Sequence, residues 1–353
     1  MAVVAVGDFD KPLIEKLIIK HFSGIETPRV KKERTYFPVP DHDGTRYAIA
    51  TDSEATLSSM SINWLRAVDT GSTEQDYRRT LVQAMYNSML NDRLSELTKK
   101  PDPPFLFAAS SNGRLVRTKS SYTLEVGVKD NGLLRGLETI LTEAYRVRKF
   151  GFTQSELERQ KKEMLRSVER AYAERDKTES GSFASEYIRN FLTDETIPGI
   201  AYEYGLYRKY IPTITLEEVN SLSRIWMDGK NRVVLLNAPN KRGVAIPKER
   251  ELDGVFDAVE KRELEAYTED VASGPLIDVP PKAGSVMAES KIQALGVTQW
   301  DLTNGVRVVL KPTDFKNDEV IFSAFSPGGS SLVPDSNYIP AVKIGRASCR
   351  ERV

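Results

Sequence analysis

The sequence predicts an α+β fold in which helices cover one face of a mostly antiparallel sheet. Between Arg46 and Asn237 the patterns run in the order strand, helix, two strands, a block of helices and a last strand. Strands and helices are therefore grouped and do not alternate strictly, which favours helices layered on one sheet face over a doubly wound parallel sheet. At 353 residues the chain is also long enough for more than one domain.

The first predicted elements are a short strand and a helix. Residues Ala2 to Val6 have the apolar pattern of a buried strand. Asp10 is placed to cap the helix, and Pro12 is tolerated near its start because no helical hydrogen bond is lost there. The apolar face of this helix consists of Leu13, Ile14, Leu17, Ile18 and Phe22.

A strand and a long helix are predicted next. A strand pattern with turn residues at Asp52-Ser53-Glu54 covers Arg46 to Trp64. The helix begins at Ser72 or Thr73 and continues to about Leu97, after which prolines stop it. Its apolar side chains recur at helical spacing at Tyr77, Leu81, Met85 and Met89.

A hairpin is predicted after this helix. Strand patterns cover Phe105 to Ala109 and Ser121 to Val128. Asn112-Gly113 is a dipeptide that commonly forms the tight turn of a hairpin, so we expect the turn there.

Residues 143–169 predict two helices joined at a sharp corner. The first helix, Leu133 to Phe150, ends in cations, which suit a helix C-terminus. Gly151 can adopt a positive φ at low cost. Thr153, with Glu156 three residues later, forms a capping box that begins the second helix, Ser155 to Ala173.

Shorter helices and a strand follow the corner. Helical patterns cover Phe183 to Leu192 and Tyr202 to Tyr210, and a second capping box at Thr215 and Glu218 begins another helix. Arg232 to Asn237 has the pattern of a buried strand.

The C-terminal third differs in character. Asn240 to Ile292 is charged, contains prolines and shows weak periodicity, so it predicts a linker. Regular patterning resumes with a hairpin around Asn304-Gly305, and Glu319 to Phe325 predicts a further strand.

Composition argues against several classes of function. The chain has 50 basic and 50 acidic residues, so we expect no general attraction to nucleic acid or anionic membranes. No apolar run approaches the ~20 residues of a membrane helix, and we expect no membrane span. The only cysteine, Cys349, has no partner for an internal disulfide.

The last residues change abruptly in character. Read back through the genetic code, residues 344–353 resemble read-through into a short-read sequencing adapter. We therefore expect residues 343–353 to be an artefact and not native sequence, with an unusual basic tail as the alternative.

Three segments together resemble the M16 family of zinc peptidases, which includes the insulinase and pitrilysin-like enzymes. Val3 to Asp10 is similar to the last strand and helix start of the family's first domain. The corner at residues 143–169 is similar to the region just after the catalytic part. Asn304 to Leu310 is similar to the opening strand of the third domain.

The resemblance implies an internal fragment of a longer chain, with incomplete domains at both ends. We expect residues 1–38 to end the first, catalytic-type domain and residues 39–240 to form the second, non-catalytic domain. Residues 241–296 would be an interdomain linker, and residues 297–342 would begin the third domain. M16 proteins are long chains of sandwich-like α+β domains whose two halves close like a clamshell around a peptide, so the other half would be a partner.

The resemblance also implies zinc in the parent protein. The family's zinc sits on an H-x-x-E-H helix in the first domain, where two histidines bind the metal and the glutamate activates water. This motif would lie upstream of Met1. His21 and His42 are the only histidines of this chain, and neither begins the motif.

Both histidines are more readily explained without a metal. His21 lies beside the apolar face of the first helix, and we interpret it as a packing residue at the boundary of that face. Asp41-His42-Asp43 is a denser cluster, but Asp43-Gly44 predicts a turn, and three adjacent residues cannot easily face one ion. We therefore assign no metal-binding residue to this chain.

Other polar stretches predict structure and not chemistry. Ser326 to Ser331 lacks the spacing and the lysine of a phosphate loop and predicts a turn. The charged residues of the second corner helix predict a solvated face with ion pairs such as Glu158–Lys162. A group of tyrosines predicts helix packing on the sheet, with contact to a peptide as the alternative. The charged set is Glu156, Glu158, Arg159, Lys161 and Lys162, and the tyrosines are Tyr202, Tyr204, Tyr207 and Tyr210. We assign no catalytic and no cofactor-binding residue.

Two functions follow from the resemblance. The first is the scaffold of the peptide chamber in a metalloendopeptidase that cleaves peptides or unfolded polypeptides with zinc-activated water, inactive when isolated. The alternative is a piece of a non-catalytic M16-like structural or partner subunit. An intact or a degenerate zinc motif in the upstream gene sequence would discriminate between them. By family analogy alone we expect a bacterial source and a periplasmic or other extracytoplasmic location.

Overall fold

The chain forms two compact units. The structure is a computed structural model that describes residues 2–26, 34–68, 73–269, 277, 279–316, 319–326 and 328–339. The larger unit holds the described residues of 2–169, 179–267 and 323–339, and the smaller unit holds those of 170–178 and 268–322.

The elements are numbered in chain order. The helices are α1 (Lys11–Phe22), α2 (Glu74–Thr98), α3 (Leu133–Phe150), α4 (Gln154–Ala173), α5 (Ser180–Thr193), α6 (Ile200–Tyr210), α7 (Leu216–Trp226) and α8 (Glu249–Glu260). The strands are β1 (Thr45–Asp52), β2 (Ser58–Arg66), β3 (Phe107–Val116), β4 (Lys119–Val128), β5 (Arg232–Pro239), β6 (Val286–Ile292), β7 (Val297–Leu302) and β8 (Arg307–Leu310).

The larger unit contains a five-stranded sheet with the order β1-β5-β2-β4-β3. Only the β1–β5 pair is parallel, and Val234 of β5 lies between Tyr47 of β1 and Ile62 of β2. On the other side of β2, Ile62 pairs with Leu124 of β4, which in turn pairs with Ser110 of β3. The mostly antiparallel sheet is as predicted.

The core lies between this sheet and the helices. Alternate residues of β2 and β4 enter it together with the apolar stripes of α2 and α3. Trp226, at the end of α7, stacks on Tyr122 with ring centroids 4.7 Å apart, and Tyr86 meets Trp226 edge-on at 5.0 Å. The α+β prediction with helices on one sheet face is confirmed.

The predicted helix starts are confirmed where capping signals marked them. Asp10 accepts a hydrogen bond from the backbone N–H of Leu13 at 2.8 Å. Thr73 and Thr215 each form a capping box, with Asp76 and with Glu218 respectively. These signals lie within one helical turn, so the sequence alone locates them.

The predicted turn at Asn112-Gly113 was wrong. Both residues lie inside β3, and the chain reverses at Arg117 and Thr118 instead. The side chain of Asn112 is held by hydrogen bonds from two directions, to Gln83 and to Asn87, both at 2.6 Å. These contacts from α2 keep Asn112 in the strand and override the turn preference of the dipeptide.

The stretch predicted as a linker contains a packed helix, α8. Leu252, Phe256 and Val259 are buried, and α8 lies against α3. These apolar residues recur at helical spacing, but the charged residues between them hid the pattern. The prediction of an irregular linker was therefore wrong for residues 249–260, while the domain boundaries stay predictions.

The smaller unit contains a three-stranded antiparallel sheet, β6-β7-β8. The predicted hairpin around Asn304-Gly305 is confirmed, since Gly305 has a φ of +82° and its N–H donates to the carbonyl of Leu302 at 3.0 Å. β6 was not predicted, because Val286 to Ile292 fell in the expected linker.

Two predicted strands are absent among the described residues. Ala2 to Val6 and Glu319 to Phe325 are extended or irregular, and neither pairs with a strand there. Phe322 and Phe325 are 85% and 92% exposed. An apolar pattern specifies a strand only when a neighbouring strand takes up its backbone hydrogen bonds.

We expect Leu137→Ala to lower the free energy of unfolding by about 2–5 kcal/mol, because it leaves a cavity between α3 and the sheet. Leu137 is fully buried on α3, whereas Leu115 on β3 is half exposed. Leu115→Ala is the matched control, with an expected change within about 0.5 kcal/mol. Urea unfolding measures both, and equal losses would contradict this location of the core.

Candidate functional site

The face of the five-stranded sheet opposite the helices carries small polar side chains. Because side chains alternate along a strand, Ser59, Ser61 and Asn63 of β2 point away from the core that their neighbours enter. Thr123 of β4 pairs with Asn63 in the sheet register. We call Ser59, Ser61, Asn63, Ser121 and Thr123 the polar sheet face.

Hydrogen bonds fix the side chains of the polar sheet face. The Thr123 hydroxyl donates to Asn63 Oδ1 at 2.9 Å, and Asn63 Nδ2 donates to Ser61 Oγ at 3.0 Å. The hydroxyl oxygens of Ser121 and Thr123 lie 3.0 Å apart. Hydrogen bonds thus hold four of these five uncharged side chains, and Glu125 of β4 lies opposite Ser61 in the register. The face is chemically suited to contact polar groups.

The polar sheet face was missed at the sequence level. The signal that could have found it is the alternation of serine with apolar residues in Ser58 to Trp64. That alternation predicts one buried and one open face for the strand, and the open face then carries the hydroxyl and amide groups.

The corner between α3 and α4 is organised by a buried ion pair. Arg93 of α2 binds Glu156 with both ends of its guanidinium, Nε at 2.6 Å from Oε1 and Nη2 at 2.8 Å from Oε2. The two side chains are 2% and 3% exposed. Bidentate geometry with a second set of hydrogen bonds is what allows such a pair to be buried.

The second set of bonds comes from the corner itself. Glu156 Oε2 accepts from the backbone N–H of Thr153 at 2.7 Å, and the Thr153 hydroxyl accepts from the backbone N–H of Glu156 at 3.3 Å. The predicted capping box is confirmed. Gly151 has a φ of +77°, as expected, and an added Cβ there would lie 2.3 Å from the side chain of Asn220.

Two aromatic rings enclose the guanidinium of Arg93. Its Cζ lies 5.0 Å from the ring centroid of Phe152 and 4.0 Å from that of Tyr267. The Tyr267 hydroxyl donates to the carboxylate of Glu96, at 2.8 Å for the shorter distance. Burial, together with the negative charge of Glu96, raises the pKa of Tyr267 well above its ordinary value.

The solvated face predicted for α4 needs a correction at Glu156. This residue is buried because Arg93 and Thr153 use both of its oxygens, so its carboxylate is not available as a catalytic base. Glu158 is half exposed and pairs with Lys161 at 3.3 Å, one position from the predicted Lys162. The local sequence could not show the difference, since Arg93 is 63 residues away.

The two histidines lie in different parts of the fold, His21 on α1 and His42 between Asp41 and Asp43 in the segment before β1. His21 is exposed in the last turn of α1 and does not pack at a boundary as predicted. His42 is bound through its backbone to Asn231, at 2.7 and 3.0 Å, and Gly44 has the φ of +69° expected of a turn. Within the described ranges, no group of three or more His, Cys, Asp or Glu residues could hold a metal ion.

Asp41 is engaged by a cation. It forms an ion pair with Lys119 of β4, and this contact lowers the pKa of the Asp41 carboxyl below its ordinary value. Asp41 therefore ties the segment before β1 to the sheet.

The tyrosine-rich stretch packs on α2. Tyr202 and Tyr210 donate to the carboxylate of Glu74 at 2.6 and 2.8 Å. Tyr207 meets Tyr77 edge-on, with ring centroids 6.3 Å apart. Helix packing was predicted, but the partner is the first half of α2 and not the sheet. For Tyr204 the structure records a contact between its ring and Arg208, whose Cζ lies 5.7 Å from the ring centroid.

Two sequence predictions fall partly or wholly outside the described residues. Pro327 in the predicted turn over 326–331 is outside them, while Gly329 to Leu332 forms a short 3₁₀ turn. Cys349 and the suspected artefact at residues 343–353 are also outside them.

Comparison with known proteins identifies the family. Residues 1–164 match the profile described as the peptidase M16 inactive domain. A protein named "Zinc protease PQQL-like" from Arabidopsis thaliana is 31% identical over 341 residues, which are 96% of this chain and 33% of that protein. The chain belongs to the M16 peptidase family.

Further relatives agree with this M16 assignment. "Probable zinc protease PqqL" from Haemophilus influenzae is 20% identical, over 96% of this chain and 36% of that protein. The periplasmic protease PqqL from Escherichia coli has a similar structure, with a TM-score of 0.65 and 16% identity over 87% of this chain and 34% of that one. The M16 chain thus spans about a third of the length of these relatives.

No helix in the portion of this M16 chain that the structure describes is both long enough and apolar enough to cross a bilayer.

We expect Glu156→Gln to lower the free energy of unfolding by about 3–5 kcal/mol, because it leaves the Arg93 guanidinium charged and buried without its partner. Glu158→Gln, on the same helix, is the matched control and should cost at most about 1 kcal/mol because the Glu158 carboxylate is half exposed. Guanidinium chloride unfolding measures both. A loss for Glu156→Gln no larger than for Glu158→Gln would show that the ion pair is not buried as described.

We expect Glu74→Gln to change the pH dependence of stability. Hydrogen bonds from Lys209, then Tyr202 and Tyr210, lower the pKa of Glu74 from 4.5 to about 2. Since the pKa of Glu74 is depressed in the folded state, the ionised carboxylate stabilises the fold fully above pH 4.5. This stabilisation is lost as pH falls toward 2. The Tm difference between the native chain and the variant should therefore narrow across that window.

A control for this experiment removes the cation instead of the acid. In a Lys209→Gln background, Glu74→Gln should produce a smaller Tm difference, because the main cause of the pKa shift is gone. A Tm difference that stays constant from pH 7 to 2 would contradict the assignment.

Proposed function

We propose that this chain is part of the scaffold of the peptide chamber in an M16 zinc protease that hydrolyses peptides or unfolded polypeptides. The observation that carries the proposal is the polar sheet face, a hydrogen-bonded row of hydroxyl and amide groups in which Ser59, Ser61 and Thr123 are partly exposed. It is supported by the match of residues 1–164 to the inactive domain of the family. Relatives named zinc proteases support the parent activity.

The residues that the structure describes do not fit a zinc ion. The described part contains no cluster of three metal-binding side chains, and His21 is exposed on α1 while His42 lies in the turn before β1. Four-coordinate zinc needs at least three protein ligands that converge on one point. No step of hydrolysis is therefore derived from these residues, and zinc would be held by residues outside this chain.

The scaffold role follows from how an extended peptide is recognised. A peptide in extended conformation presents N–H and C=O groups at regular intervals, and hydroxyl and amide side chains can bond to either kind. The hydrogen bonds between Asn63, Thr123 and Ser61 hold these groups in place, so little side-chain freedom is lost on contact.

The partner in this proposal is the other half of an M16 clamshell, together with the peptide that the two halves enclose. A periplasmic or other extracytoplasmic location is proposed from the Escherichia coli relative, which is described as periplasmic. A bacterial source and the status of a fragment are proposed from family analogy.

Metal analysis and a peptidase assay test the proposal. The purified 353-residue chain is expected to contain far less than one zinc per chain after exposure to zinc and dialysis, and to leave an unfolded polypeptide such as reduced casein intact. Stoichiometric zinc together with hydrolysis that a chelator abolishes would overturn the scaffold role.

The upstream gene sequence tests the parent activity separately. An intact H-x-x-E-H motif in the same reading frame supports the zinc protease. A degenerate motif would replace it with the alternative, a structural or partner subunit that has lost its zinc ligands.

A further inference from the structure

Amide side chains of α2 form a ladder along strand β3. Gln83, Asn87 and Asn91 are spaced four residues apart, so they lie on one face of the helix. Gln83 and Asn87 bond the side chain of Asn112, each at 2.6 Å. Asn87 also accepts from the Ser110 hydroxyl at 2.7 Å.

Asn91 differs from the other members of the ladder because it bonds the backbone of β3. Its Oδ1 accepts from the N–H of Ser110 at 2.6 Å, and its Nδ2 donates to the C=O of Ser110 at 3.0 Å. A neighbouring antiparallel strand would make the same pair of bonds to one residue. The amide of Asn91 thus occupies the position of one residue of a missing strand.

The missing strand matters because β3 is at the edge of the sheet. Among the described strands its only neighbour is β4, so every second residue of β3 directs its N–H and C=O away from the sheet. A long edge strand of this kind is a template for pairing with another chain. β3 has ten residues and no proline, and its one charged residue, Arg114, lies in its C-terminal half.

Ser110 lies near the middle of β3, which makes it an effective place for a block. Strand pairing is cooperative only when its backbone hydrogen bonds are continuous. The outward N–H and C=O of Ser110 lie between those of Ala108 and Asn112 along the same edge. With Ser110 occupied, an incoming strand could form no more than a few bonds on either side. Short strand pairs of this kind are marginally stable in water.

We propose that Asn91 closes the β3 edge to strand addition by an extended polypeptide from another molecule. Its amide satisfies the two edge groups of Ser110 and leaves no continuous row for an incoming strand. The backbone groups of the β3 edge are the same whether or not the chain is part of a zinc protease. Strand addition to this edge can therefore be tested independently of the proposed function.

The test compares Asn91→Ala with Gln83→Ala in the full chain. Alanine favours helix at both positions, so α2 should persist. Gln83→Ala is the matched control because it removes an amide of the same ladder whose described bond to β3 goes to a side chain and not to the edge backbone. The probe is a fluorescent peptide with the sequence of β3 itself, residues 107–116, read by anisotropy. Sedimentation velocity follows self-association.

Asn91→Ala is expected to bind the probe at least about 30-fold more tightly than the native chain, since two backbone hydrogen bonds become available. The variant is also expected to self-associate, and Gln83→Ala should behave like the native chain. Hydrogen exchange at Ser110 should rise in Asn91→Ala alone. This readout verifies that the edge has been uncovered.

Three results would overturn the proposal. One is faster exchange at Ser110 in Asn91→Ala without tighter probe binding. Another is equal binding by both variants, which would trace the effect to general loosening of the ladder. The third is tight binding of the probe by the native chain. If Asn91→Ala does not fold, Asn91→Ser carries the same test, because its hydroxyl is too short to reach both groups.

Discussion

The buried ion pair between Arg93 and Glu156 is the contact on which the larger unit depends. It joins α2 to the start of α4 across 63 residues of sequence, at a depth where the two side chains are 2% and 3% exposed. Charges at this depth are costly unless they are paired, and here Nε and Nη2 of Arg93 bind Glu156 while Nη1 has no hydrogen-bond partner among the described residues. The same guanidinium contacts the rings of Phe152 and Tyr267. Arg93 therefore contacts the start of α4, the corner between α3 and α4, and the segment after α8.

Helix α2 connects the parts of the larger unit because its different faces contact the core, the edge strand β3 and helix α6. One stripe enters the core beneath the sheet, with Met85 and Leu90 fully buried. Asn87 and Asn91 form hydrogen bonds with the edge strand β3, and Glu74 in the first turn accepts hydrogen bonds from tyrosine hydroxyls of α6. An amphipathic helix usually has one buried stripe and one solvated face. Here several polar positions of α2 are used for contacts instead, which explains why its apolar pattern alone described it incompletely.

Local signals predicted the fold well, and long-range contacts set the limits of prediction. The box of Thr153 and Glu156 was readable because its members are three residues apart, and so was the hairpin at Gly305. Burial of Glu156 was not readable, since its partner lies on another helix. Asn112 has the same turn chemistry as Asn304 but is held in a strand by α2. The polar sheet face could have been inferred from strand alternation, whereas its hydrogen-bond network depends on the register of β2 and β4.

The position of β5 has a consequence for how the protein is made. β1 pairs only with β5, and their first partners, Thr45 and Arg232, are 187 residues apart. A chain emerging from the ribosome cannot complete this sheet until Pro239 has been synthesised. Such non-local pairing is associated with slow folding, on the order of milliseconds to seconds. During synthesis β1 remains without its partner, with its backbone hydrogen-bonding groups unpaired. This interval ends only when β5 is inserted between β1 and β2.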